Sequence, residues 1–205
     1  CLFLVNKTHL GIQTLKEIKG YQNSSLCLFL LGLGYEHFAQ HEVAMKYYEY
    51  ALAIDSEIQD AHTKLGIYNT NLSKWKASEI NFSEAIRINP RALEVYKLRG
   101  VARFYLTDFD GAIKDFNEFL KYDSLNDEAL KSRAISYLKI GEYHRGAIDC
   151  IKSATCHSEI RTFAEFITPL VASGDTTQAL SILNTYQARG YKPEILFYQL
   201  DLLIS

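Results

Sequence analysis

Residues 59–92 read QDAHTKLGIYNTNLSKWKASEINFSEAIRINPRA, and the fold is decided by what stands 34 positions to either side of them. Gly66 has Gly32 before it and Gly100 and Ala134 after it at that step. The same step joins Phe82 to Tyr48, Phe116 and Cys150, and Ser78 to Ala44, Ala112 and Gly146, all small. It joins Trp75 to His41, Phe109 and Tyr143, all ring-bearing. A fixed period of this length marks a helix–turn–helix unit. One such unit cannot bury its own apolar face, so successive units stack. The expected fold class is all-α: a right-handed α-solenoid of antiparallel helix pairs.

Working outward, the register divides the chain into hairpins 25–58, 59–92, 93–126 and 127–160, with a fifth at 160–193 slipped by one residue. In the third, Glu94 to Leu106 and Phe109 to Tyr122 read as helices. Thr107-Asp108 makes the turn, and Asp108 caps the second helix. Gly66 and Gly100 are expected where paired helices approach most closely, because a side chain there would hold the backbones apart. Gly174 turns the fifth hairpin, with Ala179, Leu183 and Tyr186 at its packing positions. Residues 1–24 form an N-terminal segment with one helix, Thr8 to Lys19, whose stripe is Leu10, Leu15 and Ile18 and whose stop is Gly20. Residues 194–205 form an apolar C-terminal helix after Pro193. Its Phe197, Leu202 and Ile204 face away from the fifth hairpin, so an end interface is expected there, with another chain or further repeats.

The pattern resembles the tetratricopeptide repeat over about residues 25–193. Leu65-Gly66 with Phe82, Ala85 and Pro90 carries the resemblance, as do Leu31-Gly32, Tyr35, Ala44, Tyr48 and Ala51. It thins in the fourth hairpin, where Cys150 replaces an aromatic and Ser153 an alanine. In the fifth, Ala179-Leu180 and the run from Gly190 to Pro193 look slightly like a pentatricopeptide unit, a family that reads RNA. The resemblance implies that first helices line a concave face and meet a ligand there. Carried onto this chain, that groove holds Leu33, His37, Lys64, Ile67, Lys97, Val101, Phe104, Tyr105, Lys131 and Ile135. Leu33, Ile67, Val101 and Ile135 make an apolar row flanked by lysines, which suits a peptide with apolar anchors and some acidic character. The lysine–asparagine clamp that some relatives use on chaperone tails is not expected, since Phe29 and Leu33 stand where it needs Lys and Asn.

A second rule is internal to the sequence. Arg99 and Arg133 precede the small crossing residue in hairpins three and four, and sixteen residues on stand Asp115 and Asp149. Hairpins one and two carry Leu31 and Leu65 there, with uncharged Tyr47 and Asn81 as partners. Arginine and aspartate occur together and are absent together, so structural ion pairs Arg99–Asp115 and Arg133–Asp149 are expected.

The remaining signals limit the function. A net charge of −2 over 205 residues argues against nucleic acid as a partner. His37 and His41 lack the acid of a metal-binding helix motif, no phosphate-cradling glycine loop is present, and Cys156-His157 are adjacent rather than opposed. Neither a metal nor another cofactor nor catalysis is expected. The four cysteines show no zinc spacing, and Cys150 and Cys156 would lie on mismatched faces of one helix, so free thiols are expected. No apolar run is long enough for a transmembrane helix. The expected function is a non-enzymatic scaffold or adaptor in a larger complex, taking a peptide or partner subunit in its groove, with a cytoplasmic location. Two alternatives stand beside it: an RNA-binding helical repeat, and an envelope-associated lipoprotein subunit anchored through Cys1.

Overall fold

The computed structural model of the chain describes residues 2–153, 160–188 and 190. Among them stand eleven α-helices and one 3-10 turn. They are α1 (Leu2–Glu17), the turn Tyr21–Asn23, α2 (Ser25–His37), α3 (His41–Ile54), α4 (Gln59–Asn71), α5 (Trp75–Ile88), α6 (Leu93–Tyr105), α7 (Phe109–Leu120), α8 (Asp127–Lys139), α9 (Tyr143–Lys152), α10 (Ile160–Ala172) and α11 (Thr176–Ala188). Two compact units share them, residues 1–102 and 103–205.

The turn inside each hairpin is the same device. Ala39, Ser73, Thr107 and Gly141 all have positive φ, at 56°, 56°, 62° and 81°, and they too are 34 apart. The next amide donates back across the helix end: Gln40 to the Tyr35 carbonyl at 3.0 Å, Lys74 to Asn69 at 2.8 Å, Asp108 to Arg103 at 2.9 Å and Glu142 to Tyr137 at 2.9 Å. This left-handed stop satisfies orphan carbonyls and reverses the chain within a few residues. The fifth hairpin repeats it at Gly174. Asp108 then caps α7, its Oδ1 accepting from the Gly111 amide at 3.0 Å.

Threonine is poorly suited to that backbone, because its branched Cβ crowds the neighbouring carbonyl when φ is positive. Thr107→Gly is therefore expected to stabilise the C-terminal unit by about 1 kcal/mol. Gly141→Thr should do the opposite. Urea midpoints for both variants check the pair; movement in the same direction would refute the strain.

In the N-terminal unit α2 packs on α3, α3 on α4 and α4 on α5. The crossings are tight at glycine. A Cβ on Gly32 would strike the Tyr48 ring, and one on Gly66 the Phe82 ring. Ala44, Tyr48, Ala61 and Leu65 form one buried cluster, and Phe82, Ala85, Ile86 and Val95 another. In the C-terminal unit the close approach moves to the second helix. Gly146 of α9 leaves room for the Phe166 ring and lies against the Ala134 carbonyl oxygen, which an added Cβ would meet at 2.9 Å. Phe166, Ile167, Ile182 and Leu183 carry that core on into α10 and α11.

Two expectations need correction, and a third falls outside the described residues. The N-terminal helix begins at Leu2 rather than Thr8. Leu10 and Ile18 of its expected stripe are exposed at 63% and 45%, and Ile12 is the buried anchor instead, packed where Gly34 leaves space. The glycine notch on α2 decides which face of the helix is buried. Cys150, expected to be a free thiol, is disulfide-bonded and fully buried, with its partner sulfur outside the described residues; Cys27 is free. The helix that would set Cys150 and Cys156 on mismatched faces stops short of Cys156, since α9 ends at Lys152. The C-terminal helix at 194–205, with Phe197, Leu202 and Ile204, lies outside the described residues.

Candidate partner-binding groove

The candidate groove positions of the N-terminal unit lie on α2 and α4. Helical spacing sets Leu33 and His37 on α2, and Lys64 and Ile67 on α4. Leu33 is half-buried and packs with Phe29 against the cluster of Tyr48, Ala61 and Leu65. His37 is exposed at the end of α2, its ring edge-on to Phe38 with centroids 5.8 Å apart. Ile67 remains 36% exposed. It shares a small cavity of about 80 Å³ with Lys64, Glu36, Met45, Tyr48, Tyr68, Asn71 and His41.

Glu36 organises this cavity. Lys64 Nζ donates to its Oε1 at 2.8 Å, and the Tyr48 hydroxyl donates to Oε2. Burial by itself would raise the carboxyl's pKa; the hydrogen bonds from Lys64 and Tyr48 outweigh it and hold Glu36 below its ordinary range. Burial and the same hydrogen bond push the Tyr48 phenol well upward. The folded state thus binds the Glu36 proton less readily than the unfolded chain. Its stabilisation is present above the usual carboxylate range and is lost as pH falls through the lowered pKa. Glu36→Gln should make unfolding stability less dependent on pH below about 5; an unchanged acid slope would rule this linkage out.

Glu36 was not among the residues singled out in the sequence, yet it decides the character of Lys64. The same holds on α6, where Lys97 Nζ lies 3.3 Å from Glu94. Val101 is half-buried on that helix. In the C-terminal unit, Tyr105 is 56% exposed, with its ring edge-on to Phe104 at 5.6 Å. Phe104 also meets Phe109 edge-on at 5.7 Å, which fixes it against the start of α7. Lys131 and Ile135 are half-buried on α8.

The arginines behave as braces. Arg133 grips Asp149 through two bonds, Nε to Oδ2 at 2.6 Å and Nη2 to Oδ1 at 2.7 Å, while Nη1 donates to Asn117 Oδ1 at 2.6 Å. One side chain of α8 thereby ties α7 to α9. Arg99 Nη1 donates to Ser83 Oγ at 3.3 Å, sixteen residues back, as Asn117 is from Arg133. Arg99 and Asp115 belong to different compact units, and their pairing stays an expectation. Asp115 accepts from Arg103 Nη1 at 3.0 Å, a spacing of twelve. The first hairpin uses that spacing for stacked rings, Tyr35 on Tyr47 at 5.3 Å. This twelve-residue match, ring with ring and arginine with acid, was present in the sequence.

His41, placed by the register in a turn, is the first residue of α3 and faces the Glu36 cavity. Among the described residues, no three histidines, cysteines or acids are grouped to hold a metal, and no helix is long and apolar enough to cross a membrane.

Antiparallel helix pairs repeating every 34 residues are those of the tetratricopeptide class of all-α solenoids, and comparison with known proteins agrees in fold. No family model matches the chain. It is 27% identical over 176 residues to the DnaJ protein P58IPK homolog of Arabidopsis thaliana, covering 77% of this chain and 36% of that protein. It is 24% identical over 119 residues to the Lipoprotein NlpI homolog of Haemophilus influenzae, covering 57% of this chain and 38% of that one. The chain thus spans just over a third of each curated relative's length. Among solved structures it resembles YrrB, described as a TPR protein with an unusual peptide-binding site, with a TM-score of 0.69 at 14% identity over 86% of this chain and 90% of that one. The fold is that of a tetratricopeptide-repeat protein.

Proposed function

We propose that the chain is a non-enzymatic protein-interaction scaffold that takes a peptide or a partner-subunit segment along its first helices. The observation that carries this reading is Ile67, left accessible beside a cavity whose charges are already satisfied by one another. An apolar side chain anchors there without stranding a buried charge. Because Lys64 and Lys97 have acids of their own, the preference for an acidic partner is weaker than their number implies, and apolar anchors dominate. The same pairing argues against RNA, which needs cations free to replace phosphate counterions.

Val101→Asp with Tyr105→Asp changes two residues one turn apart on α6, and Tyr105 is exposed. The double variant is expected to weaken capture of a partner identified from the native organism at least about tenfold without unfolding the domain. Undiminished capture would move the site off the first helices. A second reading, an envelope-associated lipoprotein subunit, draws on the Cys150 disulfide, which suits an oxidising compartment, and on the likeness to a named lipoprotein. Mass spectrometry for acyl mass on Cys1 separates it from the cytoplasmic reading.

A further inference from the structure

The outer face of α3 is the wrong composition for water. Val43, Tyr47, Tyr50 and Ile54 follow one another at helical spacing, a stripe about 16 Å long. Tyr50 is 57% exposed and Ile54 48%. At the two middle register positions the later hairpins carry Asn81 and Glu84, Asp115 and Glu118, and Asp149 and Lys152, of which Asp115 and Asp149 are buried. Each later pair is polar, and Asp149 is held by an arginine of its own hairpin. Only the first hairpin places two tyrosines there. Single exposed apolar residues are ordinary, but a contiguous stripe on one helix marks a contact surface.

The borders of the stripe say what covers it. Lys46 is exposed and adjoins both Val43 and Tyr50 on one side, with Glu42 and Glu49 a row further round. On the other side Lys16 sits over the Tyr35 ring at 5.2 Å and donates to the Tyr35 hydroxyl at 2.6 Å; Tyr35 in turn stacks on Tyr47. Each border of the stripe thus carries a lysine. In the C-terminal unit the second helix α9 is covered by another helix, α11. We infer that the α3 face docks an amphipathic helix of a partner protein, apolar along one stripe and bordered by Asp or Glu. This surface is separate from the first-helix groove and does not depend on it.

Two synthetic helical peptides test the inference on the intact chain. Both carry Leu and Ile at the spacing of the α3 stripe, one bordered by Glu and the other by Lys, and fluorescence anisotropy reads their binding. The Glu-bordered peptide is expected to bind saturably and at least about tenfold more tightly than the Lys-bordered one. Tyr50→Ser with Ile54→Ser should weaken it at least about tenfold, whereas Val101→Asp with Tyr105→Asp should leave it unchanged. Lys16→Glu with Lys46→Glu should invert the preference between the peptides, a readout that survives if the serine variant melts lower. Equal binding of both peptides, or binding indifferent to positions 50 and 54, overturns the docking surface. Self-association of the chain abolished by the serine variant would make the occupant a second copy and overturn the partner helix. Sedimentation with phosphatidylserine vesicles lost in that variant would assign the face to a membrane and overturn it equally.

Discussion

Asp149→Ala is expected to destabilise the C-terminal unit by about 3–5 kcal/mol, because it leaves the Arg133 guanidinium buried with its principal partner gone. Asp149 retains 4% and Arg133 16% of side-chain exposure, so water cannot take the carboxylate's place without opening the α8–α9 contact. Asn117 is a neutral acceptor and offsets only part of the charge. For a chain of this size the loss corresponds to roughly 6–20 °C in melting temperature. Most of the loss should return when both charges go. Arg133→Met with Asp149→Leu removes the desolvation cost along with the attraction and should recover most of the stability. Thermal melts of the single and double variants decide between a brace and a bystander: equal, small losses in both would mean that the pair is solvated and the brace absent.

The second large effect is expected at Gly66. A Cβ there already meets the Phe82 ring, and Phe82 is fully buried with nowhere to move. Gly66→Leu adds three further carbons at the same point and should cost about 1–3 kcal/mol, or more if α4 and α5 splay apart. Gly66→Ala with Phe82→Leu relieves the crowding and should be milder than Gly66→Leu alone. A urea midpoint for Gly66→Leu equal to that of the parent would remove glycine's packing role. The cost is steric rather than conformational, since Gly66 sits mid-helix and none of its freedom at positive φ is used.

How much of this was legible in the sequence depends on whether the cause was local or spatial. The 34-residue step exposed the hairpins because each unit solves the same burial problem with the same small and aromatic residues. Gly32, Gly66, Tyr48 and Phe82 meet as that periodicity implies. The left-handed turn residues were less visible, since only Gly141 among the four advertises the conformation, while Ala39, Ser73 and Thr107 are forced into it by the carbonyls they close. The bidentate grip of Arg133 on Asp149 lies on the diagonal that joint presence and absence pointed to.

The candidate groove divides the same way. Helical spacing placed Lys64 and Ile67 on one face of α4, and they line one cavity. That Glu36 would neutralise Lys64 from 28 residues away, with Tyr48 holding the other oxygen, was settled by packing of α2, α3 and α4. The burial of Ile12 against Gly34 is of the same kind, as is the exposure of the Tyr50 and Ile54 stripe. By itself the sequence determined the repeat, the helix pairing and the places where side chains must be small, because these follow from period, volume and local backbone preference. Tertiary structure alone decided which charges remain available and which apolar faces stay uncovered, because both depend on what a neighbouring helix brings within a few ångströms.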